Sequence, residues 1–389
     1  MELMYYYITM FIVSLCATWW IFKKVLKIAR LKNIMDAPGE RKLHQVPVPV
    51  MGGIAVFFGM VVAFAVAGIV YDMSDMFAMM CVMTLMLYVG CMDDIIGLSS
   101  TFRFIVEVLV IVFLIYCNGY SIDNFHGLWG VYEVSQWIAV PLTVFACVGI
   151  INSINLIDGV NGLSSGYCIV TCLIFGTVAF MADDFNGTSL AVICVGALIP
   201  FFIHNVFGKE SKMFIGDGGT LLMGSVISAF VINALRTDSS LASCVPDNFG
   251  LIPFTLAVLA LPVFDTLRVM MVRIFSGHSP FRPDRTHLHH LLIDLHFSHL
   301  STTMIEIMAN LLIILGWYIS YILGASIDIQ LYVVIFLGVM MTAVFYWSAS
   351  RWKSKNNRIY NMMTKAGDWS NERRFKWLDK LTGILDRNC

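Results

Sequence analysis

The chain has 389 residues, of which 58% are apolar and only 13% are charged. The charged share is about half of that found in soluble domains, so the composition excludes a disordered chain and a soluble multidomain enzyme. The 25 basic and 26 acidic residues leave a net charge of −1, which disfavours a nucleic-acid-binding protein. So much apolar sequence indicates a protein that crosses a lipid bilayer many times.

Windows of apolar sequence predict an all-α polytopic membrane protein with about eleven transmembrane helices, each crossing needing about 20 apolar residues. Some windows are shorter, which is acceptable where a helix end carries polar residues that face a cavity. The predicted spans are 4–22, 50–70, 77–92, 102–117, 136–151, 163–181, 188–204, 219–235, 250–271, 304–323 and 329–347.

The basic residues predict the orientation of these helices. All but one of the 25 Lys and Arg residues fall on one side of the predicted bilayer, the exception being Arg236. By the positive-inside rule, this side is cytoplasmic, the N-terminus lies outside and the C-terminus lies inside. We therefore expect a transmembrane catalytic domain over 1–347, with cytoplasmic active-site loops, and a basic cytoplasmic tail over 348–389.

The tail contains a segment with helical apolar spacing. Within 370–386, Phe375, Leu378, Leu381 and Leu385 recur every three or four residues, and Lys and Arg occupy the other positions. This pattern is typical of an interfacial helix on the anionic inner leaflet. An ordinary solvated tail explains the same sequence equally well.

Two segments on the predicted cytoplasmic side combine charge with helix ends. Lys42 and His44 precede a helix that starts at Gly52, and cations beside a helix N-terminus form an anion site. Asp93 and Asp94 are adjacent carboxylates, which repel each other unless they share a proton or a cation such as Mg²⁺. The structural alternative for the first segment is ordinary positive charge that flanks a membrane helix. For the second segment it is a helix cap.

The next two segments carry amides, acids and glycines. Asn152, Asn155, Asp158 and Asn161 recur every three residues and predict a polar stripe that faces a wet site, with a structural turn as the alternative. Asp217 lies among glycines just before a helix. This carboxylate could cap the helix, or the turn could hold a phosphate together with Mg²⁺.

The fifth segment, 279–292, concentrates six polar side chains within nine residues. They are Arg282, Asp284, Arg285, His287, His289 and His290. A zinc site would need a further ligand at a suitable spacing, so we interpret the cluster as a phosphate-recognition site. We assign His289 to catalysis, because histidine is the commonest proton carrier near neutral pH.

Together these clusters predict phosphoryl transfer involving a lipid-soluble compound. Acids are present for a metal, cations for phosphates and amides for a polar ligand. The sequence has no Walker A loop and no HExxH motif, which argues against ATP hydrolysis and a zinc protease.

The five segments, in this order, resemble the polyprenyl-phosphate N-acetylhexosamine-1-phosphate transferases (glycosyltransferase family 4). The resemblance covers about 36–297 and rests on RKLHQVPVPVMGGI, VGCMDDIIGL, NSINLIDGVNGL, FIGDGGTLLMG and SPFRPDRTHLHHLL. The PDRTHLHH form is similar to that of the WecA-type branch, which uses UDP-N-acetylglucosamine or a close relative.

The resemblance implies a reaction on the inner leaflet of the bacterial cytoplasmic membrane. The phosphate of undecaprenyl phosphate attacks the β-phosphorus of a UDP-N-acetylhexosamine, UMP leaves, and the lipid-diphosphate-linked sugar initiates cell-surface polysaccharide synthesis. Mg²⁺ is the implied cofactor, with Mn²⁺ as an alternative. The implied partners are the two substrates and the bilayer; a homodimer stays open.

The resemblance also implies roles for individual residues. Asp93 and Asp94 match the catalytic pair, with Asp93 deprotonating the lipid phosphate, and Asp217 and Asn161 match metal-site positions. Relatives usually carry an acid at the position of Asn161, which leaves the direct role of this amide open. The expected substrate contacts are Lys42, His44, Asn155, Asp158, Asn205, Arg282, Arg285, His287 and His290.

A transporter of an anionic metabolite is the main alternative function, since such proteins place ionisable residues inside the membrane. The candidates are Arg103, Glu107, Asp265, Arg268 and Glu306. Arg103 and Glu107 could simply pair along one helix face. The densest polar clusters lie in predicted loops rather than at the bilayer midplane, which favours the transferase.

Overall fold

The computed structural model describes residues 2–37, 46–280, 284–355, 357–372 and 376–387. Most of them are helical. Within these ranges ten helices are long and apolar enough to cross a membrane, and a bent pair brings the number to eleven. Each of the eleven predicted spans coincides with one of them, which confirms the polytopic all-α fold.

The first eight helices form the half of the bundle that carries four of the five polar segments. A two-stranded antiparallel ladder, β1 (Met35–Asp36) with β2 (Val48–Pro49), joins the first two helices. These helices are α1 (Glu2–Leu31), α2 (Gly52–Val70), α3 (Phe77–Ile96), α4 (Ser100–Asn118), α5 (Gln136–Leu156), α6 (Leu163–Met181), α7 (Phe185–Phe207) and α8 (Gly216–Leu235).

The remaining helices include short ones that lie outside the predicted spans. A π-helical turn, Met340–Val344, connects two of the helices without a break. They are α9 (Ser240–Cys244), α10 (Leu251–Val258), α11 (Ala260–Phe275), α12 (Leu288–Asp294), α13 (His299–Ile322), α14 (Ile327–Val339), α15 (Phe345–Ser354), α16 (Arg358–Glu372) and α17 (Lys376–Leu385).

α8 is the central helix of the bundle, because 89% of its apolar window is buried by the protein. It packs against α3 and α5, and glycines permit the closest approaches. A Cβ at Gly90 would lie 2.4 Å from the backbone of Asp217, and a Cβ at Gly53 would lie 2.4 Å from the backbone of Gly219. These contacts bring the ends of α2, α3 and α8 together at one end of the bundle.

The ninth predicted span is not a single helix, since α10 and α11 meet at an angle of 75°. Pro262 lacks the N–H group that would continue the helix by bonding to the carbonyl of Val258. That carbonyl accepts hydrogen bonds from Tyr167 and from Asn310 Nδ2 instead, while Asn310 Oδ1 accepts from the Leu261 amide. The side chains of α6 and α13 thus stabilise the break, which the apolar pattern could not reveal.

The C-terminal region forms two helices, α16 and α17, where the sequence predicted one interfacial helix. Phe375 and the side chain of Leu378 lie outside the described part of the chain. Leu385 is 1% exposed and therefore packs against protein rather than lipid. The burial of Leu385 concerns one residue of the stripe, and contact of the tail with the inner leaflet stays a prediction.

Candidate active site

Arg103 stands between two carboxylates at the end of the bundle where α3 ends and α8 begins, which we call the site end. Its Nη1 atom lies 2.5 Å from Asp93 Oδ2 and 2.8 Å from Asp217 Oδ2. The two acids come from helices more than 100 positions apart, yet they converge on one cationic nitrogen. Arg103 therefore does not simply pair with Glu107, whose carboxylate accepts from Asn152.

Asp94 binds the first turn of α8 across the helix interface. Its carboxylate accepts hydrogen bonds from the amides of Asp217, at 3.0 Å, and Gly218, at 3.3 Å. Free amides at a helix N-terminus favour an anion, so Asp94 supplies the negative charge from α3. Asp217 is not the N-cap of its own helix, because its carboxylate binds Arg103 and Asn155 instead.

Two of the four residues in the predicted polar stripe face this cluster from α5. Asn155 Nδ2 donates to Asp217 Oδ1 and to Thr220 Oγ1, each at 2.8 Å. Asn152 Nδ2 donates to Glu107 Oε2 at 2.5 Å. The helix ends at Leu156, so Asp158 and Asn161 lie in the following turn and do not continue the stripe.

Asp158 lies in that turn, where its carboxylate accepts a hydrogen bond from the Ser164 hydroxyl. Removal from water raises the pKa of Asp158 to about 7; the Ser164 bond opposes this shift, and the negative charges of Asp94 and Asp36 add to it. The influence of Asp94 indicates that the turn lies near the carboxylate cluster. Burial therefore favours the neutral form of the Asp158 carboxyl relative to a carboxyl in water.

Asn161 and Asn205 use their polar groups for contacts within the fold. Asn205 Oδ1 accepts from the Gly162 amide at 2.7 Å, and its Nδ2 donates to the Met213 carbonyl at 2.8 Å. The backbone of Asn161 binds His299 and Thr303 of α13. Asn205 thus joins the turn after Asp158 to the loop before Asp217, which favours a positioning role over direct contact with a ligand.

The segment that precedes α2 is fixed to the same loop. Phe214 donates its amide to Pro49, and the amides of Gly52 and Gly53 donate to Phe214 and Ile215 at 2.9 and 2.8 Å. The base of the predicted basic loop therefore lies beside the start of α8. Lys42 and His44 themselves fall outside the described residues, so their predicted contacts remain predictions.

The predicted histidine cluster is held by acidic and basic residues of α11. His287 Nδ1 lies 2.8 Å from Asp265 Oδ2, and Arg268 binds both Asp265 and the Thr286 carbonyl at 2.6 Å. Further along, Arg273 binds Asp284 at 2.8 Å, and these hydrogen bonds hold the pKa of Asp284 well below its usual range although its partial burial opposes the shift. α11 thus carries the scaffold of the fifth motif.

The histidine rings leave buried nitrogens without partners among the described residues: His287 Nε2, His289 Nδ1 and His290 Nδ1. Burial lowers the pKa of His289 well below its usual value and that of His290 to about 4; for His290 the positive charge of Arg285 adds to the effect. These two rings are therefore neutral at pH 7. Buried polar nitrogens without a partner call for an explanation, and a bound ligand is one.

The cluster borders the turn that holds Asp158. A Cβ at Gly159 would lie 2.3 Å from His289 Nε2, so only glycine permits this approach. Arg285 is exposed, and Arg282 lies outside the described part of the chain. The structure therefore brings His287, His289 and His290 next to the turn, while a direct contact of Arg282 with a ligand remains a prediction.

Comparison with known proteins agrees with this site. The family model of glycosyl transferase family 4 matches residues 76–235. The undecaprenyl-phosphate alpha-N-acetylglucosaminyl 1-phosphate transferase of Yersinia pestis is 30% identical over 298 residues, which are 75% of this chain and 78% of that protein. The chain belongs to glycosyl transferase family 4.

Two further members of family 4 show how much of the chain is shared. A Bacillus subtilis (strain 168) protein named "Probable undecaprenyl-phosphate N-acetylglucosaminyl 1-phosphate transferase" is 29% identical over 336 residues, covering 86% of this chain and 90% of that protein. The Escherichia coli O157:H7 undecaprenyl-phosphate alpha-N-acetylglucosaminyl 1-phosphate transferase is 28% identical over 304 residues, covering 76% and 79%. The similarity therefore extends well beyond the five motifs.

A divalent cation at the carboxylate cluster of this family 4 member would need ligands beyond the protein's carboxylates. Among the described residues no three His, Cys, Asp or Glu side chains lie close enough to hold a metal alone. However, Mg²⁺ usually takes one or two carboxylates and completes its shell with phosphate oxygens and water. Asp93 and Asp217, whose oxygens already converge on one cationic nitrogen, offer such a pair.

Sequence reasoning undervalued two residues of the site. Arg103 and Asp265 were noted only as ionisable residues inside the membrane, although each holds a motif residue in place. Asp36, which precedes the basic loop, was not noted at all. The sequence signal that could have identified Arg103 and Asp265 is a single charged residue within an apolar helix. Burying such a charge costs free energy unless another group pairs with it.

Proposed function

We propose that this protein transfers N-acetylglucosamine 1-phosphate from UDP-N-acetylglucosamine to undecaprenyl phosphate and releases UMP. The phosphate oxygen of the lipid forms a bond to the β-phosphorus of the donor, and the bond from that phosphorus to the bridging oxygen of UMP breaks. The product is a lipid-diphosphate-linked sugar that starts a cell-surface polysaccharide. The names of the relatives support undecaprenyl phosphate as the acceptor and N-acetylglucosamine as the sugar.

One observation carries this proposal: Asp93 and Asp217 converge on Arg103 beside amides of the α8 N-terminus. A reaction between two polyanions needs positive charge that aligns attacker and leaving group. Arg103 supplies such charge as a guanidinium that can bind phosphate oxygens in place of the carboxylates. Asp94 keeps the α8 N-terminus at a fixed distance from α3.

We assign the metal to the same cluster. Mg²⁺, with Mn²⁺ as an alternative, would be held by Asp217 with Asp93, and when bound it neutralises phosphate charge. Asn155 fixes the Asp217 carboxylate through a 2.8 Å hydrogen bond. Asn161 is a weaker candidate ligand, because its backbone is fixed to α13.

We assign the histidine cluster to the diphosphate of the donor. His287 is oriented by Asp265, which leaves its Nε2 atom unpaired, and neutral His289 and His290 can donate or accept hydrogen bonds. Asp158 lies between this cluster and Asp94. The carboxylate cluster and the histidine cluster thus flank one turn, where the two substrates would meet on the cytoplasmic face.

The experiment is to measure UMP release by purified protein in detergent with UDP-N-acetylglucosamine, undecaprenyl phosphate and Mg²⁺. The expected result is release that stops when the lipid is omitted or EDTA is added, and returns with excess Mg²⁺ or Mn²⁺. UMP release with UDP-N-acetylgalactosamine as the donor but not with UDP-N-acetylglucosamine would contradict the proposed sugar. No release from either donor, by protein that unfolds cooperatively, would contradict the proposed reaction.

A further inference from the structure

The last helix of the chain is docked on the protein at the site end. Leu385 is buried, Thr382 Oγ1 donates to the Phe207 carbonyl at the end of α7, and Lys23 Nζ donates to the Arg387 carbonyl at 2.6 Å. These contacts tie α17 to both α1 and α7. A solvated tail would not be expected to bury a leucine or to bond to two different helices.

Asp386 makes the most extensive of these contacts, with the loop that joins α7 to α8. Its Oδ1 accepts from the Ser211 amide at 2.9 Å and the Ser211 hydroxyl at 2.8 Å, and both carboxylate oxygens lie 3.2 Å from the Lys209 amide. Burial opposes ionisation, but these bonds outweigh it and lower the pKa of Asp386. Ser211 is itself fully buried.

The loop bound by Asp386 leads directly into the candidate active site. Two residues after Ser211, the Met213 carbonyl accepts from Asn205, which also binds the turn after Asp158. Phe214 then pairs with the segment before α2, and Asp217 follows in the first turn of α8. A shift of this loop would therefore move Asp217 and the Asp158 turn together.

The preceding helix, α16, supports the histidine cluster in a similar way. Tyr360 and Met363 pack against a buried group of leucines on and just after α12 (Leu288, Leu291, Leu292 and Leu295). A Cβ at Gly367 would lie 2.1 Å from the Leu295 carbonyl oxygen, and Asn371 Nδ2 donates to the His296 carbonyl at 2.6 Å. α12 carries His289 and His290.

We infer that α16 and α17 with Asp386, which we call the C-terminal clamp, position the two halves of the active site. α17 and Asp386 fix the loop that leads to Asp217, and α16 fixes the helix that carries the histidines. Asp386 and Gly367 are positioning residues, since neither touches the reacting groups. This inference rests on the proposed function only for its activity readout, because the loop positions can be measured separately.

The test compares two pairs of variants in the full-length protein, by UMP release and by hydrogen–deuterium exchange. Asp386→Ala removes the acceptor for the 208–211 loop, whereas Asp379→Ala removes an exposed carboxylate of the same helix. Gly367→Ala places a methyl group against backbone, whereas Gly383→Ala meets nothing within 4 Å. Asp386→Asn retains one acceptor oxygen and serves as the conservative rescue.

We expect Asp386→Ala to lower kcat by about 10- to 100-fold through misplacement of the site, with faster exchange confined to 205–217. Gly367→Ala should speed exchange in 288–297. The two controls should match the wild type, and Asp386→Asn should recover most of the lost activity. A local change in exchange with an unchanged melting temperature separates positioning from general stability.

Three outcomes would overturn the clamp. They are wild-type exchange and activity in Asp386→Ala, equal damage in Asp386→Asn and Asp386→Ala, and faster exchange spread over the whole bundle. If the wild type releases no UMP, the proposed function fails on its own. The exchange measurements then still decide whether the clamp holds the two loops.

Discussion

α8 begins and ends among polar side chains, and its two ends differ in how those side chains are paired. At its start, Asp93 and Asp217 share Arg103, and Asp94 binds two amides of the first turn. At its other end, Asn233 donates to Asp184 at 2.6 Å, and Arg236 lies over the Tyr120 ring at 3.9 Å. Acids and an arginine lie at both ends.

The difference lies in what each carboxylate does for the fold. Asp184 caps α7 through the Gly187 amide, and Asp123 accepts from the Thr237 amide, so each acid replaces a missing backbone partner. At the start of α8, by contrast, like charges from separate helices face one another, which costs stability unless a cation joins them. A cavity of about 100 Å³ lies beside Asp184 and Asn233.

The sharpest test of this comparison is Asp217→Asn, with substitution of the exposed Asp238 after α8, Asp238→Asn, as the control. Loss of the Asp217 charge should reduce UMP release by at least about 10³-fold, because the cluster can no longer hold a cation. Asp238→Asn should retain wild-type release. Activity of Asp217→Asn within tenfold of the wild type would show that the site end is not the reaction centre.

Substitution of Arg103 should have the next largest effect. Arg103→Leu leaves two carboxylates facing each other and removes a phosphate ligand, so we expect release to fall by about 10²-fold. Arg103→Lys retains the charge but loses the planar fork, and should be intermediate. The measurement is kcat and KM for the donor. Equal activity of the Leu and Lys variants would contradict a role for this charge.

The opposite end should respond in stability rather than activity. Asp184→Ala removes the N-cap of α7 and the partner of Asn233, which should cost about 1 kcal/mol of unfolding free energy. UMP release per folded molecule should stay within about twofold of the wild type, since Asp184 lies at the opposite end of α8 from the carboxylate cluster. Thermal unfolding in detergent and UMP release together measure both effects. A loss of turnover at unchanged stability would mean that both ends serve the reaction.

The smallest expected effect is a change in the pH dependence of stability at the turn. Burial raises the pKa of Asp158 to about 7, whereas in the unfolded chain the carboxyl ionises near pH 4. Stability contributed by this proton is thus present below about pH 4 and is lost as pH rises through about 7. The side chain introduced by Asp158→Asn cannot ionise. The melting temperature of this variant relative to that of the wild type should therefore rise between pH 5 and pH 8. A constant difference would contradict the raised pKa.

The number of spans and the five motifs could be predicted from the sequence, because apolar length and clustered polar residues are local signals. The break at Pro262 was missed, since its stabilisation by Tyr167 and Asn310 depends on two other helices. The roles of Arg103 and Asp265 were missed for the same reason. Their partners lie on other elements, and a single charge in an apolar helix does not identify its partner.

The tail shows a further limit of sequence patterns. A stripe of apolar residues at helical spacing predicts a buried face, but not whether lipid or protein buries it. Leu385 faces protein because Asp386, one residue later, finds backbone amides in the loop after α7. That contact joins positions 175 residues apart, and no local pattern encodes it.

The most direct measurement follows ³²P placed at the β-phosphorus of UDP-N-acetylglucosamine, with the protein in liposomes containing undecaprenyl phosphate. We predict that the label enters the lipid phase together with the sugar, that UMP stays unlabelled, and that EDTA stops the transfer. Label that instead accumulates inside the vesicles as intact donor would contradict the transferase and indicate a transporter.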